Sequence, residues 1–481
     1  MRDKYTMNNM KAIEAAFTHA TRYLERQEEH PAGVVVNPQE LKAKFAQQLQ
    51  NESIDGERVI DELVQSAQEG LLGSTGGRFF GWVIGGSLPA ALAADWLVST
   101  WDQNAAMYAC SPASAIAEEV AGTWLKDILN LPREASFAFV TGCKMAHFTA
   151  LAAARHRLLA KRGWNVEANG LFGAPKIQIL TTSNRHESLL RAARFAGFGT
   201  SAIVEIEQDD SGRMRADALK RHLEKHSEQP TIVVLQAGDI NCGQFDVFGE
   251  TCAVAHEHNA WVHVDGAFGL WAATSAKYRH LVKDCEQADS WATDGHKWLN
   301  VPFDSGFICI RDSEAHRSAM TIQASYLTAG DKTARDQIDW NPDWSRRARG
   351  FAVYAALRSL GREGIAALVD NCCDVASSLT NQIDSLADTE VLAVPLINQG
   401  LVRFLAPDGE HDTFTNAVIE EIKKQGKVWF GATTWRGMRA MRISVCNWQT
   451  STDDIACIVE EVANALAITK EKYAQTAIHT R

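Results

Sequence analysis

Three ionisable side chains of different kinds stand in the middle of the chain, two of them beyond apolar runs. Asp265 follows Trp261-Val262-His263-Val264, Lys297 comes in Thr293-Asp294-Gly295-His296-Lys297-Trp298, and His186 follows the run Ile177–Thr182. In an open parallel sheet, ligands bind outside the carboxyl ends of the strands. These residues are therefore candidates for one shared rim. Pyridoxal 5′-phosphate (PLP) needs such a set: a lysine to form a Schiff base, an acid facing the pyridine nitrogen, and donors for the phosphate. The acid keeps the ring nitrogen protonated, which makes the ring an electron sink. A flat ring also takes a stacked imidazole. The lysine must be neutral to attack, and a partly desolvated site with a cationic neighbour would lower its pKa. Singly, each residue has a plainer reading. Lys297 reads as a surface lysine, Asp265 as a helix N-cap, and His186 as a local cap or packing residue.

The elements that must position these groups alternate along the chain. Helices are expected at Ala146–Lys161, Glu187–Phe195, Ala216–His226 and Glu250–Asn259. Strands are expected at Ile177–Thr182, Ala202–Ile206, Thr231–Leu235 and Trp261–Val264, with Phe307–Ile310 as a further strand that could run antiparallel. Such alternation argues for a mostly parallel sheet covered by helices on both faces. After about Leu360 the pattern restarts. It gives helices at Gly364–Leu386, Thr413–Gln425 and Asp453–Thr469, and strands at Val391–Val394, Leu401–Leu405 and Met441–Val445. The expected organisation is an N-terminal helical segment over 1–85, a large α/β domain over 86–360 and a smaller α+β domain over 361–481. Between Gly73 and Gly86, glycines interleave with Phe79, Phe80 and Trp82, which reads as loop and turn.

Composition narrows the function. The 481 residues are 46% hydrophobic and 22% charged with a net charge of −11. An acidic chain gains nothing from counterion release, so a nucleic-acid partner is not expected. No apolar run is long enough for a membrane span, and Met1–Arg26 lacks the apolar stretch of a secretion signal. The ten cysteines include no CxxC pair and sit mostly in apolar segments, which points to reduced thiols in a cytoplasmic protein. No metal is expected. The pair His256 and His258 does not share a helix face.

His263-Val264-Asp265-Gly266-Ala267, followed by Asp294-Gly295-His296-Lys297-Trp298-Leu299, resembles the group II PLP-dependent amino-acid decarboxylases. That family includes the aromatic amino-acid, glutamate, histidine and diaminobutyrate decarboxylases. Ser111-Pro112-Ala113, Ser183-Asn184-Arg185-His186, Phe245-Asp246, Ser345-Arg346-Arg347 and Arg442-Ile443 match in the same order. The resemblance runs from about Phe79 to about Trp448. It implies the PLP-dependent transferase fold of the aspartate-aminotransferase type (fold type I) and a carboxy-lyase activity. It also implies roles. Lys297 would form the Schiff base, Asp265 would pair with the pyridinium, Ala267 would lie under the ring, and His186 would stack above it near the scissile carboxylate. His296 would contact the phosphate, and Asp294 would be another polar residue near the cofactor. The turn Gly142-Cys143-Lys144 would cradle the phosphate with backbone N–H groups. Arg442 would grip a substrate carboxylate, although a structural salt bridge competes for it. Arg346 and Arg347 are expected to be structural.

The chain also departs from the family pattern. Cys143 and Lys144 stand where relatives carry Ser or Thr. Lys144 could pair with the phosphate or point to solvent. His147 replaces a small polar residue. In the mobile loop before Arg346, Gln337 falls where aromatic amino-acid decarboxylases offer a proton-donating tyrosine, and Tyr326 lies earlier. Glutamine is no general acid. This motivates an alternative product, an aldehyde formed by oxidative decarboxylation–deamination, or a carbon–carbon lyase on the same scaffold. Phe80, Trp82 and Tyr108 could line an apolar substrate pocket or belong to the core. The expected partner is a small-molecule amino-acid substrate, and a homodimer with shared sites is implied by the resemblance.

Overall fold

The computed structural model describes residues 2–321 and 334–479. The glycine–aromatic stretch contributes one short strand, β1 (Phe79–Phe80). Seven strands then build the large sheet: β2 (Ser136–Val140), β3 (Gln178–Thr181), β4 (Ile203–Glu205), β5 (Thr231–Gln236), β6 (Trp261–Asp265), β7 (Ser290–Asp294) and β8 (Gly306–Ile310). Their order is β2-β8-β7-β6-β5-β3-β4. Only β8 runs antiparallel to its neighbours, β2 and β7. Residues of β2, β3 and β5 to β8 are buried throughout. This explains their continuous apolar runs, since strands covered on both faces need no polar alternation.

The helix Cys143–Ala160 lies across the sheet against β6, β7 and β8. Ala146, Ala150, Ala153 and Ala154 on it are fully buried. Alanine favours the helix, and its small side chain lets the backbone approach closely. A second close approach fixes the start of this helix. A Cβ on Gly306 would lie 2.5 Å from the Cα of Gly142, so only glycine lets β8 pass beside that turn. Likewise a Cβ on Gly85 would sit 2.0 Å from the carbonyl oxygen of Lys297. The 81–86 segment is thus pressed onto the lysine-bearing turn.

A second, five-stranded sheet follows, made of β1 with β9 (Thr389–Ala393), β10 (Gln399–Phe404), β11 (Trp429–Trp435) and β12 (Met438–Ser444), in the order β1-β11-β12-β10-β9. It is antiparallel except for β1, which pairs parallel with β11. Part of the expected 73–86 loop is therefore an edge strand. Phe80 stacks on Phe430 at 5.1 Å and Phe79 on Trp429 at 4.8 Å, which supplies the pairing energy a two-residue strand lacks. The long helix Gly350–Asp384 joins the two sheets and bends at Gly361, whose φ of 61° is left-handed. At its approach, Arg346 and Glu118 form a fully buried ion pair at 2.7 Å. Arg346 also donates to the carbonyls of Ala105 and Phe139, so it ties the chain entering this helix to β2. Arg347 pairs with Asp95.

No helix among the described residues is long and apolar enough to cross a membrane. All ten cysteines are free thiols, and eight are buried.

Candidate active site

The carboxyl ends of the parallel strands bring the candidate residues together. Asp265 ends β6 and Asp294 ends β7. Lys297 is three residues past β7, Gly142 two past β2, and His186 five past β3. Lys297 Nζ lies 3.1 Å from Asp294 Oδ2, with its side chain 17% exposed. It sits 5.9 Å from the centre of the Phe268 ring. Burial alone would lower the Lys297 pKa, but Asp294, Cys143 and Asp265 together raise it above the ordinary lysine value. The expected lowering by a cationic neighbour is corrected here. The nearest charge is a carboxylate, and it favours the ammonium form.

Asp265 is buried. Lost solvation pushes its carboxyl up, but His147, His186 and Lys297 outweigh that and hold it well below the usual carboxylate range. Its Oδ1 accepts the N–H of Ala267 at 3.2 Å, and Ala267 in turn accepts from the backbone of Asp294. His186 caps the helix Glu187–Phe195. Its Nδ1 accepts from the Ser188 N–H at 3.2 Å, which leaves Nε2 to carry the proton. The ring is open to solvent on one side. Even so, lost solvation on the other lowers its pKa, against Asp265 and alongside Lys297, His147 and Arg442. These influences mark the five groups as one cluster.

His296 is oriented the same way. Its Nδ1 accepts the Ser305 N–H at 3.2 Å, so the proton sits on Nε2, 3.8 Å from Asp294 Oδ1. The helix start at Cys143 differs from the expected cradle, because the N–H of Cys143 is already taken by Asp294 Oδ1 at 2.6 Å. Lys144 leans over Phe195, its Nζ 5.5 Å from the ring centre. Arg442, on β12, is buried with its Nε unpartnered, and it forms no ion pair among the described residues. Burial lowers its pKa to about 10 although Asp239 opposes this.

The substrate-pocket residues scatter. Phe80 is 1% exposed and belongs to the core, so this chain does not offer it to a substrate. Trp82 is 53% exposed beside Trp429, and the backbone N–H of Tyr108 donates to Asp336. Gln337 is also corrected. It is not on an open loop but 1% exposed in the turn Gln337–Asp339. Its side-chain oxygen accepts from Arg335, and its carbonyl accepts from Asn341 at 3.1 Å. Arg335, stacked on Phe137 and Trp340, anchors it there. Tyr326 lies outside the described residues.

A model of the pyridoxal-dependent decarboxylase conserved domain matches residues 38–406. The chain belongs to the pyridoxal-dependent decarboxylase family. The enzyme is 23% identical to an aromatic-L-amino-acid decarboxylase of Bacillus atrophaeus, over 90% of each chain. It is 26% identical to an L-2,4-diaminobutyrate decarboxylase of Rhizobium meliloti (strain 1021), over 77% of this chain and 74% of that one. Its fold matches the crystal structure of Oryza sativa TDC with PLP and tryptamine with a TM-score of 0.89, at 20% identity over 96% and 98% of the two chains. This is the PLP-dependent fold type I, with a mostly parallel large sheet and a smaller C-terminal sheet. The enzyme is a PLP-dependent carboxy-lyase acting on an amino acid.

The residues present fit that cofactor. A lysine amine lies 3.1 Å from Asp294, and the buried carboxylate of Asp265 is held ionised. The His296 imidazole, with its proton on Nε2, stands beside the helix start at Gly142. His147 was noted only as a departure from the family pattern, and His263 was not read as part of the site. The signal was the spacing of Trp261, His263 and Asp265 by two, which puts all three on one strand face.

Proposed function

We propose that the enzyme decarboxylates an L-amino acid to its amine and CO₂, holding PLP covalently through the Lys297 amine. The observation that carries this is the convergence of Lys297, Asp265 and His186 at the carboxyl ends of one sheet, with a buried, unpaired Arg442 facing the same cluster. When bound, the cofactor supplies the electron-withdrawing ring that accepts the electron pair released with CO₂. The protein supplies the rest. Asp265 offers a fixed negative charge to the ring nitrogen. Ala267 and His186 would bracket the ring, with the Nε2–H of His186 left free for a substrate carboxylate. His296, beside Gly142 at the helix start, would face the phosphate, and Asp294 steadies Lys297. Arg442 holds the substrate carboxylate and so orients the bond to be broken. The apolar side chains Ile13, Phe17, Trp96 and Trp101, all exposed, support a homodimer with shared sites. The free, mostly buried thiols support a cytoplasmic setting.

The test is product analysis on a panel of L-amino acids with PLP-loaded protein, following CO₂, amine, aldehyde and O₂ together. CO₂ with an equal amount of amine is expected. CO₂ with aldehyde and O₂ uptake would contradict the amine product, and no CO₂ from any amino acid would contradict the reading itself.

A further inference from the structure

Behind Asp265 runs a chain of buried polar groups that the reaction as described does not use. His147 Nε2 lies 3.3 Å from Asp265 Oδ2. His147 Nδ1 lies 2.8 Å from His263 Nε2, and His263 Nδ1 lies 2.9 Å from Ser290 Oγ. The indole N–H of Trp261 donates to that same Ser290 oxygen at 2.9 Å. His147, His263 and Ser290 are fully buried, and Trp261 is 4% exposed.

The chemistry of its far end gives this chain a direction. An indole N–H can only donate, so Ser290 Oγ accepts there. Among the described residues, the only other hydrogen-bond contact of that hydroxyl is His263 Nδ1. The hydroxyl proton therefore goes to His263 Nδ1. His263 then carries its own proton on Nε2 and donates to His147 Nδ1. That leaves the His147 proton on Nε2, which lies 3.3 Å from Asp265 Oδ2 and 3.6 Å from Cys143 Sγ. Burial and His147 push the His263 pKa down to about 3, in keeping with a neutral ring in mid-chain. The other oxygen of Asp265, Oδ1, meets the Ala267 N–H and the Cys143 thiol at 3.8 Å.

We propose that His147 is a positioning residue for the cofactor. Its tautomer, set by His263, Ser290 and Trp261, fixes an N–H donor on Asp265 Oδ2 and so holds the carboxylate ionised and aimed at the ring nitrogen. The proposal rests on the reading that Asp265 faces that nitrogen.

Four variants test it: His147→Phe, which keeps the ring and loses the donor; His147→Gln, whose amide nitrogen can stand in for Nε2; Ser290→Ala, which frees the tautomer from a distance; and Asp265→Asn. For each, the apo protein is titrated with PLP, the visible spectrum of the bound cofactor is recorded, and the apo melting temperature is measured. Loss of a hydrogen bond to a charged group should weaken PLP binding about 10- to 100-fold in His147→Phe, with a shifted spectrum. His147→Gln should recover most of the affinity. Ser290→Ala should weaken binding less but in the same direction, and it decides the matter alone if His147→Phe does not fold. Wild-type affinity and spectrum in both His147→Phe and Ser290→Ala would overturn the proposal, as would a His147→Gln variant no better than His147→Phe. If Asp265→Asn alone weakens PLP, the proposal fails while the reading of Asp265 stands. If Asp265→Asn binds PLP normally, that reading fails too.

Discussion

Replacing Asp294 by Asn should make Lys297 more reactive, although it removes a charged residue from the centre of the site. The amine lies 3.1 Å from Asp294 Oδ2, and Asp294 is foremost among the groups holding its pKa up against burial. Asparagine keeps the side-chain shape and an acceptor for the Cys143 N–H, which Asp294 now takes at 2.6 Å. What is lost is a charge-assisted hydrogen bond to the ammonium, worth about 1.5–3 kcal/mol. At about 1.4 kcal/mol per decade, the neutral fraction of Lys297 at a fixed, mildly alkaline pH should rise about tenfold to a hundredfold. The assay is competitive acylation of the apo protein, read by peptide mass spectrometry against the exposed Lys225 as an internal reference. Faster labelling of Lys297 in Asp294→Asn is expected. Unchanged or slower labelling, with Lys225 unaffected, would show that Asp294 does not hold the ammonium form, and the electrostatic account of the site would be wrong.

Stability should fall between pH 7 and pH 5. Burial pushes both His263 and His316 down to about 3, whereas an unfolded histidine titrates near 6.5, at about the ordinary value. Below that pH the unfolded chain takes up protons that the folded one refuses, at a cost of about 2 kcal/mol per histidine by pH 5. Asp246, pushed up to about 6 by burial, gains a proton in the fold first and offsets about 1 kcal/mol, leaving a net loss of about 3 kcal/mol. Denaturant unfolding at the two pH values checks this, and equal stability would contradict it. Arg442→Met should leave the apo melting temperature unchanged or raise it, because it removes a buried guanidinium that has no ion-pair partner among the described residues. The same variant should raise KM for the amino acid about 10- to 100-fold, and an unchanged KM would remove Arg442 from the substrate.

Thr231–Gln236 and Trp261–Asp265 were legible as strands because burial on both faces leaves continuous β-branched runs. Ser290–Asp294 was not, since Ser-Trp-Ala-Thr-Asp has no such run and becomes a strand by pairing between β6 and β8. Phe79–Phe80 is too short to signal a strand and depends on aromatic stacking against β11. At the site, order along the chain was enough to gather Asp265, Lys297 and His186, because strand ends share a rim. The charge state of Lys297 was not legible, because it depends on which way Asp294 turns in a tight connection. Nor was the His147–His263 contact, which needs one face of the helix Cys143–Ala160 to be laid on one face of β6. The burial of Gln337 was not legible either, because counting positions along a loop says nothing about burial.

Lys297 should carry the cofactor. PLP-loaded protein should be reduced with borohydride, digested, and mapped by mass spectrometry. One phosphopyridoxyl group on the peptide containing Lys297, absent from Lys297→Ala, is the expected result. A label on Lys144 or any other lysine, or the same label persisting in Lys297→Ala, would contradict the account.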